Sequence, residues 1–163
     1  MASDDQSRDT QAVEPPRGMY SCRLDDKGRL KLPAEFQHFL NLLPEKKLFV
    51  TSLDRRIAQI YPMPSWRENE KFFEAYRDNP QVAQDVAFTA QDLGADADMD
   101  SQGRVLFNTT LRKELDLQNQ ELHLYAYRGH IKVLTEAVYQ ERRQRASKAS
   151  SENVDMLERA GLK

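Results

Sequence analysis

The residues of this chain best fitted to recognition chemistry are two arginines that each follow a glycine turn. Arg29 ends the stretch Asp25-Asp26-Lys27-Gly28-Arg29, and Arg104 ends Asp100-Ser101-Gln102-Gly103-Arg104. A guanidinium is a planar fork of N–H donors that keeps its charge at any ordinary pH. It can bond two acceptors at once on a carboxylate, on a phosphate or on the O6/N7 edge of guanine. Lys27 carries a compact point charge, better suited to a phosphate oxygen. Gly28 and Gly103 supply the positive φ that a tight hairpin tip requires. Asp25 and Asp100 offer a plainer reading, in which each arginine only pairs with the aspartate of its own hairpin. Two occurrences in register favour recognition, and the aspartates are then expected to fix turn or arginine geometry without touching a base.

That register organises the chain. Asp25, Gly28, Arg29, Leu40 and Leu42 are answered by Asp100, Gly103, Arg104, Leu115 and Leu117 at a single offset of 75 residues. Further on, Leu48-Phe49-Val50 is answered by Leu122-His123-Leu124, Ile57 by Ile131, and Trp66 by Tyr139. The offset drifts through 74 to 73 as loops shed residues. Each copy reads strand, tight turn, strand, short helix, strand, turn, strand, helix.

Tyr20, Cys22 and Leu24 alternate with polar residues, and Leu30 and Leu32 alternate with Arg29 and Lys31, the period of half-buried strands. Pro33 suits the first turn of a helix carrying Phe36, Phe39 and Leu40. Strands are expected over Leu48–Leu53 and Ile57–Tyr61, around Asp54-Arg55-Arg56. Ser65-Trp66-Arg67-Glu68 has the form of a capping box, opening a helix that buries Trp66, Phe72, Phe73 and Tyr76. Asp78-Asn79-Pro80 breaks it, and Val82, Ala83, Val86 and Ala87 begin another. In the second copy, strands over Leu122–Tyr127 and Ile131–Leu134 flank Arg128-Gly129-His130, and Thr135 can cap a final helix.

At 163 residues and 39% hydrophobic content, the chain can form one ordinary domain or two very small ones. A unit of about 55 residues buries too little surface to be comfortably stable alone, so the copies must pack together or associate between chains. A net charge of −2 does not by itself suggest a nucleic-acid binder. Charge is uneven, however: residues 67–100 hold nine Asp/Glu against three Lys/Arg, whereas Arg23, Lys27, Arg29 and Lys31 cluster around the first turn. Cys22 is the sole cysteine, which excludes an intrachain disulfide and a cysteine-rich zinc site. No apolar run approaches membrane-spanning length, so a soluble, cytoplasmic protein without a membrane partner is expected.

Asp-x-x-Gly-Arg followed by alternating apolar residues, a short helix and Leu-x-Leu resembles the AbrB-type swapped-hairpin DNA-binding domain. Two such units in one chain, over roughly residues 19–145, resemble the MraZ family of bacterial transcriptional regulators. The resemblance implies an α+β, mainly β fold in which two tandem swapped-hairpin units form one pseudo-symmetric barrel-like body with short helices. With a first unit over 19–66 and a second over 94–140, composition and periodicity mark a disordered leader over 1–18, a helical linker over 67–93 and a partly helical tail over 141–163, and the leader and tail add to the family's core. The resemblance implies ring-shaped homo-oligomers that bind direct repeats in double-stranded promoter DNA of the protein's own division and cell-wall operon, close to the nucleoid, as a repressor. Carried over by position, the DNA-binding residues are Arg29, Arg104, Lys27, Gly28 and Gly103. Gln102 in place of Lys27 makes the second tip less basic, and Asn108 stands in place of Pro33. A protein–protein or antitoxin-like scaffold of the same fold is the alternative.

No catalytic set converges in the sequence, and no cofactor, metal or small-molecule ligand is expected. Asp96-Ala97-Asp98-Met99-Asp100 opens like an EF-hand loop, but Ser101 and Phe107 stand where that loop needs glycine and a bidentate glutamate. His38, His123 and His130 fall on different elements, and Arg142, Arg143 and Arg145 read as a solvated basic face.

Overall fold

The computed structural model describes residues 13–163. Most of the expected leader, residues 1–12, lies outside the described residues; beyond it, Val13 packs against the core. The elements follow one another as β1 (Tyr20–Cys22), β2 (Arg29–Lys31), α1 (Ala34–Asn41), β3 (Leu48–Ser52), β4 (Ala58–Pro62) and α2 (Met63–Ala75), then α3 (Pro80–Leu93). They continue as β5 (Ala95–Ala97), β6 (Arg104–Leu106), α4 (Thr109–Leu115), β7 (Leu122–Tyr127), β8 (His130–Thr135), α5 (Glu136–Ser147) and α6 (Ser150–Ala160).

This is an α+β fold in which the strands of the two halves interleave. Six strands form an antiparallel sheet in the order β1-β7-β8-β4-β3-β5, and β2 pairs with β6 in a separate two-stranded ribbon. First-half strand β1 therefore lies on second-half strand β7, second-half β5 lies on β3, and β4 meets β8 at the centre with Ile60 opposite Ile131. The sheet is open, with β1 and β5 at its edges, so the expected barrel-like closure is not formed among the described residues. The reason is local. β2 and β6 pair with each other and leave the sheet, keeping only the single bridge between Leu24 and Leu30 toward β1.

Two cores hold the sheet. Leu48, Val50, Ala58, Ile60, Leu122, Leu124, Ile131 and Val133 face a cluster completed by Leu30, Val105, Phe36, Phe107 and Leu111 beneath the ribbon. On the opposite face, Phe49 and Tyr61 pack with Met63, Trp66 and Ala90 from α2 and α3. That second layer buries β3 and β4 on both sides, and the Thr51 hydroxyl donates to the Ala90 carbonyl at 2.6 Å so that its burial leaves no unpaired oxygen.

Three local expectations are corrected. Helix α2 begins at Met63 behind Pro62, with no side-chain cap, so Ser65 and Glu68 do not form a capping box. Burial of Met63 draws the helix start three residues upstream, from Trp66 to Met63, and Pro64 is tolerated there because first-turn amides have no intrahelical acceptor. On that helix Trp66 is buried and Phe73 half-buried, but Phe72 is 60% exposed. The counterpart of Ile131 is Ala58, not Ile57. Leu48 pairs with Pro62 as Leu122 pairs with Thr135, so the offset falls from 74 (48 to 122) to 73 (62 to 135) inside this hairpin. The residue is lost at the tip: five residues, Leu53 to Ile57, join β3 to β4, whereas Arg128 and Gly129 alone join β7 to β8. Both have positive φ, 51° and 83°, as a two-residue hairpin turn requires.

Helix α3 begins at Pro80, two residues ahead of the expected Val82, and Asn79 caps it by accepting from the Val82 amide. Thr135 does the same for α5 through the Val138 amide. Helices α5 and α6 bury no residue. Cys22 packs against the core, and burial pushes its thiol up to about 12, which leaves it poorly nucleophilic.

Candidate nucleic-acid interface

Both Asp-x-x-Gly-Arg turns fold by the same set of bonds. In the first, the Gly28 amide donates to the Asp25 carbonyl at 3.0 Å, and the Lys27 and Arg29 amides donate to Asp25 Oδ1 at 3.0 and 2.9 Å. Arg29 Nε then donates to Asp25 Oδ2 at 2.8 Å. In the second, Gly103 donates to the Asp100 carbonyl at 3.0 Å, Gln102 and Arg104 amides donate to Asp100 Oδ1 at 2.9 Å, and Arg104 Nε donates to Asp100 Oδ2 at 2.8 Å. These donors, the arginine amide foremost, hold both carboxyls below the usual carboxylate range. A depressed carboxyl pKa means that the stabilisation is fully present above the ordinary value and is lost only as pH falls through the lowered one.

The aspartate thus does pair with its arginine, but it takes only Nε. Among the described residues no acceptor is recorded for the Nη atoms of either guanidinium, whose side chains are 28% and 25% exposed. Each guanidinium is braced along one edge, leaving its terminal fork available for a second partner. Bracing lowers the rotamer entropy to be lost on binding.

The ribbon brings the two turns together. Arg29 lies opposite Leu106, Leu30 opposite Val105, and Lys31 opposite Arg104. Leu30 and Val105 are fully buried, so Arg29, Lys31, Arg104 and Leu106 share the outer face. Alternation along the chain places Lys31 with Arg29. Only the pairing of the two halves also sets Lys31 beside Arg104, giving the second turn the lysine it lacks at Gln102. Lys27 is exposed at the first tip.

Each ribbon end is closed by the other half. Leu32 N donates to the Gly103 carbonyl and Phe107 N to the Gly28 carbonyl, both at 2.9 Å. The side chain of Arg112, from α4, lies on Gly28, and that of Gln37, from α1, lies on Gly103. Arg112 is itself held by Gln118 and Thr109, both at 3.1 Å, and places a further cation behind the first turn. Its position could have been read from the repeat, where it answers Gln37 at the same offset of 75. Its packing on the turn could not.

Gly28 and Gly103 are buried beneath these side chains, with φ of 79° and 77°. A Cβ at Gly28 would come within 2.4 Å of Arg112 Cζ, and one at Gly103 within 2.1 Å of Gln37 Cδ. The long side chains can swing aside at the cost of their hydrogen bonds, but the left-handed backbone strain stays. Gly28→Ala is expected to destabilise the fold by about 1–2 kcal/mol, read as a lower urea midpoint at unchanged slope. An unshifted midpoint would show that the turn tolerates a side chain.

Comparison with known proteins gives one consistent result. A family model described as "MraZ protein, putative antitoxin-like" matches residues 17–86. A protein of Acidobacterium capsulatum called transcriptional regulator MraZ is 27% identical over 125 residues, 77% of this chain and 85% of that one. Proteins of the same name from Koribacter versatilis and Thiobacillus denitrificans are 31% and 33% identical, over 64% and 62% of this chain and 71% and 68% of theirs.

Proposed function

The chain belongs to the MraZ family, and from that membership we propose that it is a transcriptional regulator whose β2/β6 ribbon binds double-stranded DNA. One observation carries the reading. Two turns from distant parts of the chain present aspartate-braced guanidinium groups, in matching geometry, on one outward face with Lys31 between them. A B-DNA major groove is about 12 Å wide and admits a two-stranded ribbon. In this reading Arg29 and Arg104 address guanine edges through their terminal nitrogens, and Lys27 and Lys31 address phosphates. Gly28 and Gly103 set the tip geometry from beneath.

The finer organisation belongs to the same proposal. Residues 19–66 and 94–140 are two swapped-hairpin units joined by the 67–93 linker, with 141–163 as a tail. Several chains assemble in a ring, so that successive ribbons meet direct repeats in the promoter of the protein's own division and cell-wall operon and occlude polymerase. Two arginines per chain make a weak reading head for a protein of net charge −2. Linked heads can raise overall affinity by about 10²–10⁴ without any new contact. The proposed place of action is the cytoplasm, at the nucleoid.

The test is an anisotropy titration of a labelled duplex carrying the upstream region of that operon, repeated across salt concentrations. With Lys27 and Lys31 as the phosphate-neutralising cations of each bound ribbon, log K should fall against log[salt] with a slope of about −2 per ribbon, steeper where several ribbons bind together. Absence of binding, or a flat salt plot, would overturn the reading. Exposure of Phe72 and Phe88, at 60% and 68%, supports a second reading as a protein-binding module. A protein partner retained after nuclease treatment, with no shift of DNA, would favour it.

A further inference from the structure

We propose that Glu121, His123 and Glu136 form a binding site for a divalent transition-metal ion of the zinc type. One ligand atom from each lies within 4.8 Å of the other two. Around a tetrahedral zinc ion, with bonds of about 2.0–2.2 Å, ligand atoms stand about 3.4 Å apart. A small rotation of the exposed Glu121 side chain brings its oxygen inward, and Glu136, now in direct contact with His123 Nε2, must draw back by on the order of 1 Å to admit the ion. His123 is the fixed member: its side chain is 10% exposed, its ring stacks on Tyr139 at 3.8 Å, and Nε2 contacts Glu136 Oε2. Glu136 is oriented from two sides. Gln140 Nε2 donates to its Oε1 at 2.8 Å, and its amide donates to Gln120 Oε1 at 3.2 Å. Such outer partners are what fixes the ligands of metal sites.

Two independent observations point to a dication. The first is charge balance. Two carboxylates converge on one imidazole. Arg143 also acts electrostatically on Glu136, so the carboxylate without a counter-charge is that of Glu121, for which no ion pair is recorded among the described residues. A doubly charged ion would supply it. The second is the sister copy, which uses the same place for packing alone. There Lys47, Phe49, Met63 and Trp66 stand where Glu121, His123, Glu136 and Tyr139 stand, and Phe49 stacks on Trp66 at 4.6 Å. The ring stack is kept in the second copy, while the other positions change together into ligating residues. An imidazole with two carboxylates suits zinc, nickel or manganese better than calcium or magnesium, which take oxygen. The ion would tie the first turn of α5 to β7.

The test uses the full chain, stripped with EDTA and dialysed, then titrated calorimetrically with zinc sulfate. We expect one Zn²⁺ per chain, and at a 100-fold excess over Kd a rise in melting temperature on the order of 5–10 °C. Magnesium should give neither. Glu121→Gln and Glu136→Gln, both near the surface, should each weaken binding roughly tenfold or more. His123→Phe restores the sister copy's residue, should still stack on Tyr139, and should abolish binding. Absence of zinc-dependent heat and stabilisation, or zinc binding unchanged in His123→Phe, would overturn the site.

Discussion

Replacing Arg29 and Arg104 together by alanine is expected to abolish sequence-specific DNA binding while leaving the fold intact. The fold should survive because Asp25 and Asp100 still accept from backbone amides: the turn bonds from Lys27, Gln102 and the substituted residues themselves run through main-chain nitrogen. What disappears is the pair of terminal forks. A bidentate arginine–guanine pair is worth roughly 1–3 kcal/mol, so each loss costs about 5–150-fold, and an assembly multiplies it over its bound heads. Arg29→Lys separates two explanations. Lysine keeps the charge but cannot hold the aspartate with one nitrogen and offer a planar fork with two others. If Arg29 reads a base, the lysine variant should discriminate less between specific and unrelated duplexes, keeping only the share read by Arg104, with its salt dependence retained. If Arg29 serves only as a charge, lysine should restore nearly all affinity. Unchanged affinity in the double alanine variant would remove both arginines from the interface.

The largest expected loss of stability is that of Phe107→Ala. Phe107 is fully buried beneath the ribbon, beside Phe36 and Leu30, and its own amide closes the ribbon against Gly28. Truncating a buried phenylalanine costs about 3–5 kcal/mol in transfer and cavity terms. That is a large share of the roughly 5–15 kcal/mol that holds a domain folded. Its neighbour Leu106 is 53% exposed on the outer face, and Leu106→Ser should change stability by no more than about 0.5 kcal/mol. The shape of the transition is as informative as its midpoint. Because strands of each half pair with strands of the other, Phe107→Ala should lower one cooperative unfolding transition seen alike by Trp66 fluorescence in the first half and by far-ultraviolet dichroism. Two separated transitions, with the Trp66 signal unmoved, would show the halves to be independent and the interleaving to contribute little.

Much of this architecture could be read before any coordinates. Alternation of Leu30 and Leu32 against Arg29 and Lys31 marks one apolar and one charged side, as the ribbon has. Pro33 marks a helix start where α1 begins, and Thr135 marks the cap of α5. The misreadings share a cause. The Ser65–Glu68 box lost to burial of Met63, and the assignment of Ile57 lost to a turn length that strand register alone reveals. In each, a local pattern was overruled by contacts it does not encode: packing with Phe49 and Ala90 for the first, cross-strand register for the second. The His/Glu cluster was invisible for the same reason. Glu121, His123 and Glu136 match no ligand spacing, and only antiparallel pairing of β7 with β8 returns the start of α5 to His123.

The sequence by itself determined the duplicated turn. Asp, Gly and Arg at fixed spacing make the same hydrogen-bond pattern in both copies, because every bond in it spans four residues or fewer. Tertiary structure alone decided which groups stand together. Lys31 lies beside Arg104, Arg112 covers Gly28, and Gln37 covers Gly103, through pairing of strands about 75 residues apart. Such contacts are selected by how well two apolar faces fit, and no short stretch of chain carries that information.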